Sequence, residues 1–415
     1  MTCRYVKILL LNQVFYPDVV ATAQYLSDLA AALVERGHEV TVVSSRRGYE
    51  HPETMFPAQE TWRGVKILRV YSTRFGKKAR WRRAADFASF LFFSCLRLLF
   101  LPRQDAVVAL TTPPLISFLG AWRAKWWRAR FFYWVMDFNP DEAIAAGWLR
   151  ADSFTAKFLE RLSRFSLRQA AGIFPLDRFM RDRIVAKRIA AEKVIVIPPW
   201  TQDQQVAFDA VGRKTFRVAH GLANKYVVMY SGNHSPVHRL DTLMQAADQL
   251  RGETDIVFCF IGGGSEFSRV KKWAVNCPNV LCLPYQPLKD LSASLSAADA
   301  HVVVMGDAML GLVHPSKIYN MLTVGAPVVY IGPVPSHVTE ILTDLTPRHP
   351  WVGVRHGEVG ELVKQIHQLR QETMVHDHRP PTEVASQFSQ AILLPRMVAL
   401  LESMGAKPKA ETLKR

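Results

Sequence analysis

The sequence predicts an α/β fold made of two doubly wound, Rossmann-like domains. The chain has 415 residues, which is more than one hydrophobic core usually organises. Apolar runs of strand length alternate with helical stretches, as in parallel sheets that carry helices on both faces. This alternation stops at Pro198 and Pro199 and starts again at Tyr226. We therefore predict one domain over residues 1–200, a second over residues 201–382, and a C-terminal helical segment, residues 383–415, that can pack back on the first domain.

The first domain repeats a strand, helix, strand order. It opens on an apolar strand, and the helix that follows stops before Gly37, a residue type that commonly ends helices. The predicted strands are residues 5–11, 39–44, 106–110, 131–135, 173–175 and 194–197, and the predicted helices are residues 22–36, 114–127, 153–171 and 177–186.

The second domain repeats the same order. Its predicted strands are residues 226–230, 256–261, 280–283, 301–305 and 328–331, and its predicted helices are residues 240–250, 266–274, 288–297 and 317–323. A last helix, residues 383–404, is interrupted at Pro395. Because doubly wound sheets bind ligands at the carboxyl ends of their strands, two in tandem predict a binding cleft between facing strand ends.

Composition and charge limit the classes of protein that fit. The chain is 49% hydrophobic and 21% charged, which excludes a disordered or fibrous protein. Its formal net charge is +16, of which +14 lies in residues 1–200 and +2 in residues 201–415. This asymmetry indicates different partners for the two halves. We find no nucleic-acid-binding motif and predict no nucleic-acid partner.

The cysteines and the N-terminal residues indicate a cytoplasmic protein. The 5 cysteines are odd in number, widely spread and without paired CxxC spacing, so we predict reduced thiols. The apolar run at residues 8–11 is too short for the hydrophobic part of a signal peptide.

Residues 74–101 combine a cationic run with an apolar segment. As a helix, the apolar residues 87–101 would be ~22 Å long, too short for the ~30 Å hydrocarbon core of a membrane. The pattern fits an interfacial element on anionic lipid and, equally, a buried helix after a solvated basic loop. A second aromatic and basic cluster, residues 122–130, favours contact with an anionic membrane surface. The cations of the run are Arg74, Lys77, Lys78, Arg80, Arg82 and Arg83.

Glycines in the second domain predict a phosphate-binding loop. Gly262, Gly263 and Gly264 stand between a predicted strand and the helix that begins at Glu266. Backbone amides and the helix dipole can hold a phosphate at such a position. A glycine-rich turn is also a common connector, so this loop alone does not decide the function.

A second predicted helix start carries a lysine. Ser316 precedes Lys317, whose cation opposes the helix dipole unless an anion is bound there. We predict that Lys317 pairs with such an anion. The alternative is a surface lysine that tolerates the dipole.

The loop after residues 226–230 is a third phosphate-directed surface. It runs over residues 231–239 with Gly232 at the strand end, and it carries Asn233, His234, His238 and Arg239. Two histidines four residues apart can ligate a metal on a helix. We expect no metal here, because Pro236 forbids that helix and no carboxylate or cysteine lies nearby in the sequence.

An acidic segment follows the predicted strand 131–135. Asp137 is our candidate for orienting the acceptor or the donor sugar, because it follows the carboxyl end of a strand. The alternative is helix capping by the turn at residues 139–141, which fits Asp141 better than Asp137.

Several short motifs occur in a specific order along the chain. They are residues 15–17, 21–24 and 36–42 in the first domain, and residues 230–233, 241–243, 262–266, 297–299, 315–319 and 325–329 in the second. This order resembles glycosyltransferase family 4, and within it the transferases of bacterial O-antigen and exopolysaccharide synthesis. The resemblance covers roughly residues 5–400.

The resemblance implies a GT-B fold, in which the two domains face each other across a cleft, and retaining transfer without a bound metal. The second domain would hold a nucleotide-sugar donor and the first an acceptor. Carried over by position, residues 262–266 line the donor, and Ser316 and Lys317 face its diphosphate. Lys317 and Arg239 would then stabilise the departing negative charge. Tyr285 lies in a loop that can select the base and the sugar.

The chain departs from the family pattern at four positions. Leu312 and Asn320 occupy the places of two glutamates, and Asn233 and His238 those of an arginine and a lysine that contact the diphosphate. Asn320 can still bond a ribose hydroxyl. His238, Arg239 and Lys317 can together replace the lost positive charge. The Leu312 side chain can neither form a hydrogen bond to the donor nor supply a charge.

We therefore expect a cytoplasmic glycosyltransferase, peripheral on the inner face of the plasma membrane, with a lipid-linked or other glycan acceptor. Two alternatives stay open. A sugar-nucleotide epimerase of the same fold needs no lipid acceptor and does not account for residues 74–103. A non-catalytic nucleotide-sugar-binding protein is consistent with the two missing glutamates.

Overall fold

The computed structural model describes residues 5–49, 51–76, 80–201, 206–345, 349–373 and 382–405. It divides into two compact units. Unit 1 comprises the chain up to Pro198, the short segment Gly311–His314 and the chain from Leu393 onward, and unit 2 comprises Pro199–Leu310 and Pro315–Ile392. The sequence did not predict that residues 311–314 belong with the N-terminal unit. Cys3, Lys77 and Lys78 lie outside the described residues.

Unit 1 is built on a seven-stranded sheet with the order β3-β4-β2-β1-β5-β6-β7, and only the β3–β4 pair is antiparallel. Its strands are β1 (Lys7–Leu11), β2 (Glu39–Ser45), β3 (Gln59–Trp62), β4 (Val65–Val70), β5 (Ala106–Ala109), β6 (Arg130–Val135) and β7 (Gly172–Pro175). Its helices are α1 (Ala21–Glu35), α2 (Arg80–Leu99), α3 (Ile116–Trp127), α4 (Asp141–Ala145), α5 (Phe154–Gln169) and α6 (Arg178–Ala186). The central strands are buried along nearly their whole length, as expected for a parallel sheet covered on both faces.

Two local features of unit 1 differ from the sequence prediction. The β3–β4 hairpin was not predicted: β3 is polar and shows no apolar run, whereas β4 is apolar and mostly buried but was not assigned to a strand. Arg63 and Gly64 form its turn with φ of 46° and 77°, as a two-residue hairpin turn requires. The segment predicted as a strand over residues 194–197 is not a regular strand, but the amides of Ile195 and Ile197 donate to the carbonyl oxygens of Ile173 and Pro175, both at 2.9 Å.

Helix α2 presents two apolar faces. Phe90 and Leu98 are fully buried in the core of unit 1, while Phe92 is 59% exposed. Leu96 and, just past the helix, Phe100 continue the exposed face at 38% and 83%. The buried-helix prediction therefore accounts for only one of the two faces. Among the described residues, no helix has the length and apolar character needed to cross a membrane.

Unit 2 is built on a six-stranded, fully parallel sheet with the order β10-β9-β8-β11-β12-β13. Its strands are β8 (Tyr226–Asn233), β9 (Ile256–Gly263), β10 (Val280–Leu283), β11 (Ala300–Val304), β12 (Val328–Ile331) and β13 (Trp351–Val354). Its helices are α7 (Ala210–Ala219), α8 (Asp241–Gln249), α9 (Phe267–Ala274), α10 (Leu291–Ser296), α11 (Lys317–Val324), α12 (His337–Leu345), α13 (Val359–Thr373) and α14 (Thr382–Gln387).

An internal ion pair connects helix α7 to the sheet of unit 2. Asp299 Oδ2 accepts hydrogen bonds from Arg217 Nη1 at 2.9 Å and from the Val227 amide at 2.7 Å. Its other oxygen accepts from Arg213. Asp299 lies in one of the motifs that carry the family resemblance, and in this structure it positions an element of the fold.

The last helix, α15 (Gln390–Gly405), contains Pro395 and continues from unit 2 into unit 1. Within unit 1, Glu402 accepts hydrogen bonds from Arg36 Nη2 at 3.0 Å and lies 3.2 Å from His38 Nε2. These contacts attach the helix to the end of α1.

Candidate active site

Two neighbouring strands of unit 2 end in glycines that are in register. Gly232 of β8 lies opposite Gly262 of β9. Gly262 and Gly264 have φ of 136° and 121°, a region that favours glycine. A Cβ on Gly262 would overlap the carbonyl oxygen of Gly232, and a Cβ on Gly264 would overlap the Asn233 side chain. Both conformation and space therefore require glycine where the predicted phosphate loop begins.

Lys317 begins helix α11 beside this loop. Its Nζ lies 3.5 Å from the centre of the Tyr230 ring and 3.2 Å from the position that a Cβ on Gly232 would take. The Nζ is buried and makes no hydrogen bond within the described residues. Burial lowers the Lys317 pKa from 10.5 to about 7. A buried ammonium without a partner is costly, so this position lacks an anion that a ligand can supply.

His234 holds the two strand ends together. Its Nδ1 donates to the carbonyl oxygen of Gly232 at 3.0 Å, and its amide donates to the carbonyl oxygen of Gly263 at 2.7 Å. Burial, and then the Lys317 charge, lower the His234 pKa to about 4, so the ring is neutral at pH 7. Its Nε2 is buried without a hydrogen-bond partner in the described structure and is available as an acceptor.

His238 and Arg239 do not replace the lost charge in the way the sequence predicted. His238 Nδ1 donates to the carbonyl oxygen of Val304 at 3.0 Å. Burial, followed by the Lys317 charge, lowers the His238 pKa to about 3, so its ring carries no charge at pH 7. The Arg239 side chain is 68% exposed, and its Nε lies 4.0 Å from Asp241. Of the three residues predicted to replace the lost charge, Lys317 is the one whose amine lies buried beside the glycine loop.

The other predicted donor-site residues surround the same strand ends, and their roles stay predictions. Ser316 precedes α11 without capping it, and Asn320 follows within the next turn. The Tyr285 ring is half exposed and lies against Gly263. Glu266 precedes α9 and accepts a hydrogen bond from Arg269 at 2.9 Å.

In unit 1, Asp137 follows β6 and lies close to Glu142 of α4. Burial raises the pKa of both carboxyl groups, and the Asp137 charge raises the Glu142 pKa further. Arg83 and His314 act in the opposite direction on Asp137. The pair can therefore hold a proton near neutral pH. The sequence placed Glu142 in the same acidic segment, but nothing in that segment showed that the two carboxyls would interact.

The capping alternative is wrong for Asp141. The residue that precedes α4 is Pro140, and no side chain caps this helix. Asp141 instead accepts a hydrogen bond from Lys187 Nζ at 2.8 Å.

A second polar pair lies in unit 1 and was missed at the sequence level. Asp177 caps α6 through Oδ1, and its Oδ2 lies 2.8 Å from Nδ1 of His314. Both side chains are buried. They stand 137 positions apart in the sequence, which offers no signal for this pairing.

Leu312 does not line a donor site. It is 2% exposed and packs in the hydrophobic core of unit 1. Its carbonyl oxygen accepts a hydrogen bond from the Phe138 amide at 2.9 Å. An apolar residue is therefore favoured here by core packing, and the position does not act as a substitute for a glutamate.

Comparison with known protein families decides the class. Residues 21–200 match the model for the glycosyl transferase 4-like domain, and residues 212–348 match the model for glycosyl transferases group 1. The chain belongs to the glycosyltransferases. It is 26% identical over 335 residues, 77% of its own length and 81% of the relative, to an Escherichia coli K12 protein named colanic acid biosynthesis glycosyl transferase WcaI.

Solved structures confirm the fold class of this glycosyltransferase. HepE of Anabaena in complex with UDP-glucose has a TM-score of 0.69 at 15% identity, with 96% of this chain and 100% of that chain covered. Sucrose-phosphate synthase of Thermosynechococcus elongatus has a TM-score of 0.73 at 13% identity, with 97% and 99% covered. The predicted class, α/β with two Rossmann-like domains of the GT-B type, is therefore confirmed.

Proposed function

We propose that this glycosyltransferase moves a sugar from a nucleoside diphosphate sugar to a glycan acceptor, with retention of the anomeric configuration, in the synthesis of a bacterial cell-surface polysaccharide. The observation that carries the proposal is the buried Lys317 ammonium without a hydrogen-bond partner at the start of α11. The name of the Escherichia coli relative supports the polysaccharide context.

The donor site lies in unit 2 in this proposal. The diphosphate occupies the space between the glycine loop and Lys317, where it pairs with the ammonium and receives the amides of the strand ends. Departure of a nucleoside diphosphate develops negative charge, and a preorganised cation stabilises that charge in the transition state. The site needs no metal to do so. The uridine nucleotide in the HepE complex makes UDP the first nucleotide to test.

The acceptor site lies in unit 1 in this proposal. Asp137 orients the acceptor hydroxyl, and the raised pKa of the Asp137 and Glu142 carboxyls lets the pair take up the proton that this hydroxyl releases. Retention is proposed from the family resemblance.

We further propose that unit 1 binds the inner face of the plasma membrane, which brings the enzyme to a lipid-linked acceptor. The exposed aromatic side chains Phe92, Phe100 and Trp126 support this, together with the charge of +14 over residues 1–200. Phe92→Ser with Phe100→Ser should reduce sedimentation with phosphatidylglycerol vesicles. Val275→Ser, at an 82% exposed apolar residue of unit 2, is the matched control and should sediment like the wild type. Equal sedimentation of all three proteins would contradict membrane binding through this face.

Transfer is tested with purified enzyme, UDP-glucose and a lipid extract as the acceptor source, with release of UDP as the measurement. Lys317→Met should abolish the release. Lys364→Met, at a lysine of unit 2 with a 76% exposed side chain, should not change it. Activity that survives a chelator supports the metal-free mechanism. Conversion of the donor sugar itself would support an epimerase instead, and UDP binding without turnover of any donor would support a non-catalytic binder.

A further inference from the structure

Unit 1 contains a pocket that the donor site does not use. It lies where three neighbouring parallel strands, β1, β2 and β4, end, and helix α2 closes one side. The open space in it is about 520 Å³, a value that includes solvent at its opening. It is lined by residues at or after the ends of the three strands and by residues of α2, among them Gln13, Arg47, Tyr49, Ser72, Arg83 and Asp86.

Hydrogen bonds make the walls of this pocket rigid. Arg47 Nε donates to the carbonyl oxygen of Ser72 at 2.9 Å, and its Nη1 donates to the carbonyl oxygen of Pro52 at 3.2 Å. The Ser45 and Ser72 hydroxyl oxygens lie 3.1 Å apart and connect the ends of β2 and β4. A pocket held in this way loses little entropy when a ligand binds.

Two arginines, Arg47 and Arg83, and one acid line the pocket. Asp86 is the acid among its lining residues, and its carboxylate accepts hydrogen bonds from Thr73 Oγ1 at 2.7 Å and from the amides of Phe75 and Gly76 at 2.9 and 3.0 Å. Within the described residues, neither Arg47 nor Arg83 forms an ion pair with a carboxylate. Two guanidinium groups therefore face a pocket whose carboxylate is already occupied by neighbouring donors.

The pocket also offers an acceptor for a hydroxyl group. Gln13 Oε1 is buried and has no hydrogen-bond partner among the described residues. The Gln13 backbone is fixed, because its amide donates to Thr112 at 2.7 Å and its carbonyl oxygen accepts from Ser45 at 2.8 Å. A buried amide oxygen without a donor is unfavourable, and a sugar hydroxyl would satisfy it.

We infer that this pocket binds the acceptor of the reaction through a sugar that carries an anionic group, a phosphate or a carboxylate. Arg83 and Arg47 bind the anion, and Gln13 accepts a hydroxyl of the sugar. The Arg83 charge also lowers the pKa of Asp137 and of Glu142, so it acts on the carboxyls assigned to the acceptor hydroxyl. The inference rests on the proposed function, in which unit 1 holds the acceptor.

Binding of three sugars to the full-length protein tests the inference by ligand-observed NMR. The probes are glucose 1-phosphate, glucuronate and methyl glucoside, which differ in the anionic group. At least one of the two anions should bind about tenfold more tightly than methyl glucoside, and the tighter one identifies the group. Equal binding of all three would overturn the inference.

Two arginine variants of helix α2 locate the site. Arg83→Gln should weaken binding of the anionic sugar about tenfold or more, whereas Arg97→Gln, on an exposed position of the same helix, should leave it unchanged. In the transfer reaction, Arg83→Gln should raise the KM for the acceptor more than it lowers kcat. Unchanged binding in Arg83→Gln would overturn the assignment.

Titration of UDP on the same samples separates this inference from the proposed function. UDP that binds to a protein with no preference for anionic sugars would refute the inference and leave the donor site intact. Anionic sugars that bind to wild type and to Lys317→Met alike, while UDP binds to neither, would support the pocket and refute the donor site.

Discussion

Lys317→Met should make the protein more stable and at the same time remove its nucleotide binding. Burial lowers the Lys317 pKa from 10.5 to about 7, which corresponds to roughly 5 kcal/mol against the charged form at about 1.4 kcal/mol per pH unit. The Tyr230 ring lies 3.5 Å from Nζ. We therefore expect Lys317→Met, which removes the buried charge, to raise the free energy of unfolding by up to about 5 kcal/mol below pH 7.

The pH dependence of this gain follows from the direction of the pKa shift. The folded state binds the Lys317 proton more weakly than the unfolded chain does, so protonation favours unfolding. The free energy by which the buried Lys317 charge destabilises the folded protein is largest below about pH 7 and decreases as the pH rises. It vanishes near pH 10.5, where the amine is neutral in both the folded and the unfolded state. The stability difference between Lys317→Met and the wild type should therefore decrease steadily between pH 7 and pH 10.

Urea unfolding at several pH values measures the stability, and calorimetry with UDP measures the binding. The wild type should take up protons when UDP binds above pH 7, because the diphosphate favours the charged ammonium. Lys317→Met should bind UDP at least about tenfold more weakly and without this proton uptake. Lys364→Met should behave like the wild type in both assays. A Lys317→Met protein that is less stable than the wild type, or that binds UDP equally well, would refute the assignment of Lys317 as an unpaired cation awaiting an anion.

Three further substitutions test other parts of the structure. Gly262→Ala should cost more than about 2 kcal/mol of stability and lower the affinity for UDP, because it adds a Cβ at φ of 136°. The control is Gly252→Ala, whose added Cβ meets no atom within 4 Å, and it should change the melting temperature little. Asp299→Ala should lower the free energy of unfolding, measured in urea, by about 3 to 5 kcal/mol, because it leaves buried donors without their acceptor. Asp344→Ala, on an exposed position, should lower it by less than about 0.5 kcal/mol. Burial raises the Asp137 pKa to about 6, so the kcat/KM of the wild type should fall as the pH drops through 6. Asp137→Asn should be slow at every pH. A wild-type rate that is flat down to pH 5 would contradict a role for the Asp137 carboxylate.

The sequence by itself determined the fold class and most of the sheet. Apolar runs such as residues 7–11 and 131–135 are continuous because parallel strands are buried on both faces, and this makes them visible without any structure. The glycines of the predicted phosphate loop were visible for a related reason, since residue type there is dictated by backbone conformation at Gly262 and Gly264. Structural preferences that depend on one residue, or on its immediate neighbours, can be predicted from the sequence.

The apolar strands β4 and β13 were missed despite such a signal, and other elements give none. The edge strand β3 is polar, and its pairing is set by a two-residue turn in which the left-handed residue Arg63 is an unusual choice. The strand predicted at residues 194–197 contains an apolar run of the right length, yet it forms no regular strand, although the Ile195 and Ile197 amides bond to β7. Whether an apolar run pairs as a strand depends on the partner that tertiary structure places beside it.

The state of the charged and polar groups was decided by the tertiary structure alone. His238 matched a cationic role by position, but its ring is desolvated and neutral, and Leu312 matched a lost glutamate but packs in a core. The pocket at the ends of β1, β2 and β4 combines residues from positions 13 to 87, which no spacing rule connects. A pKa, an ion pair and a cavity all depend on which distant groups come together and how much water they exclude. The sequence therefore supplied the candidate residues, and folding determined their charges and partners.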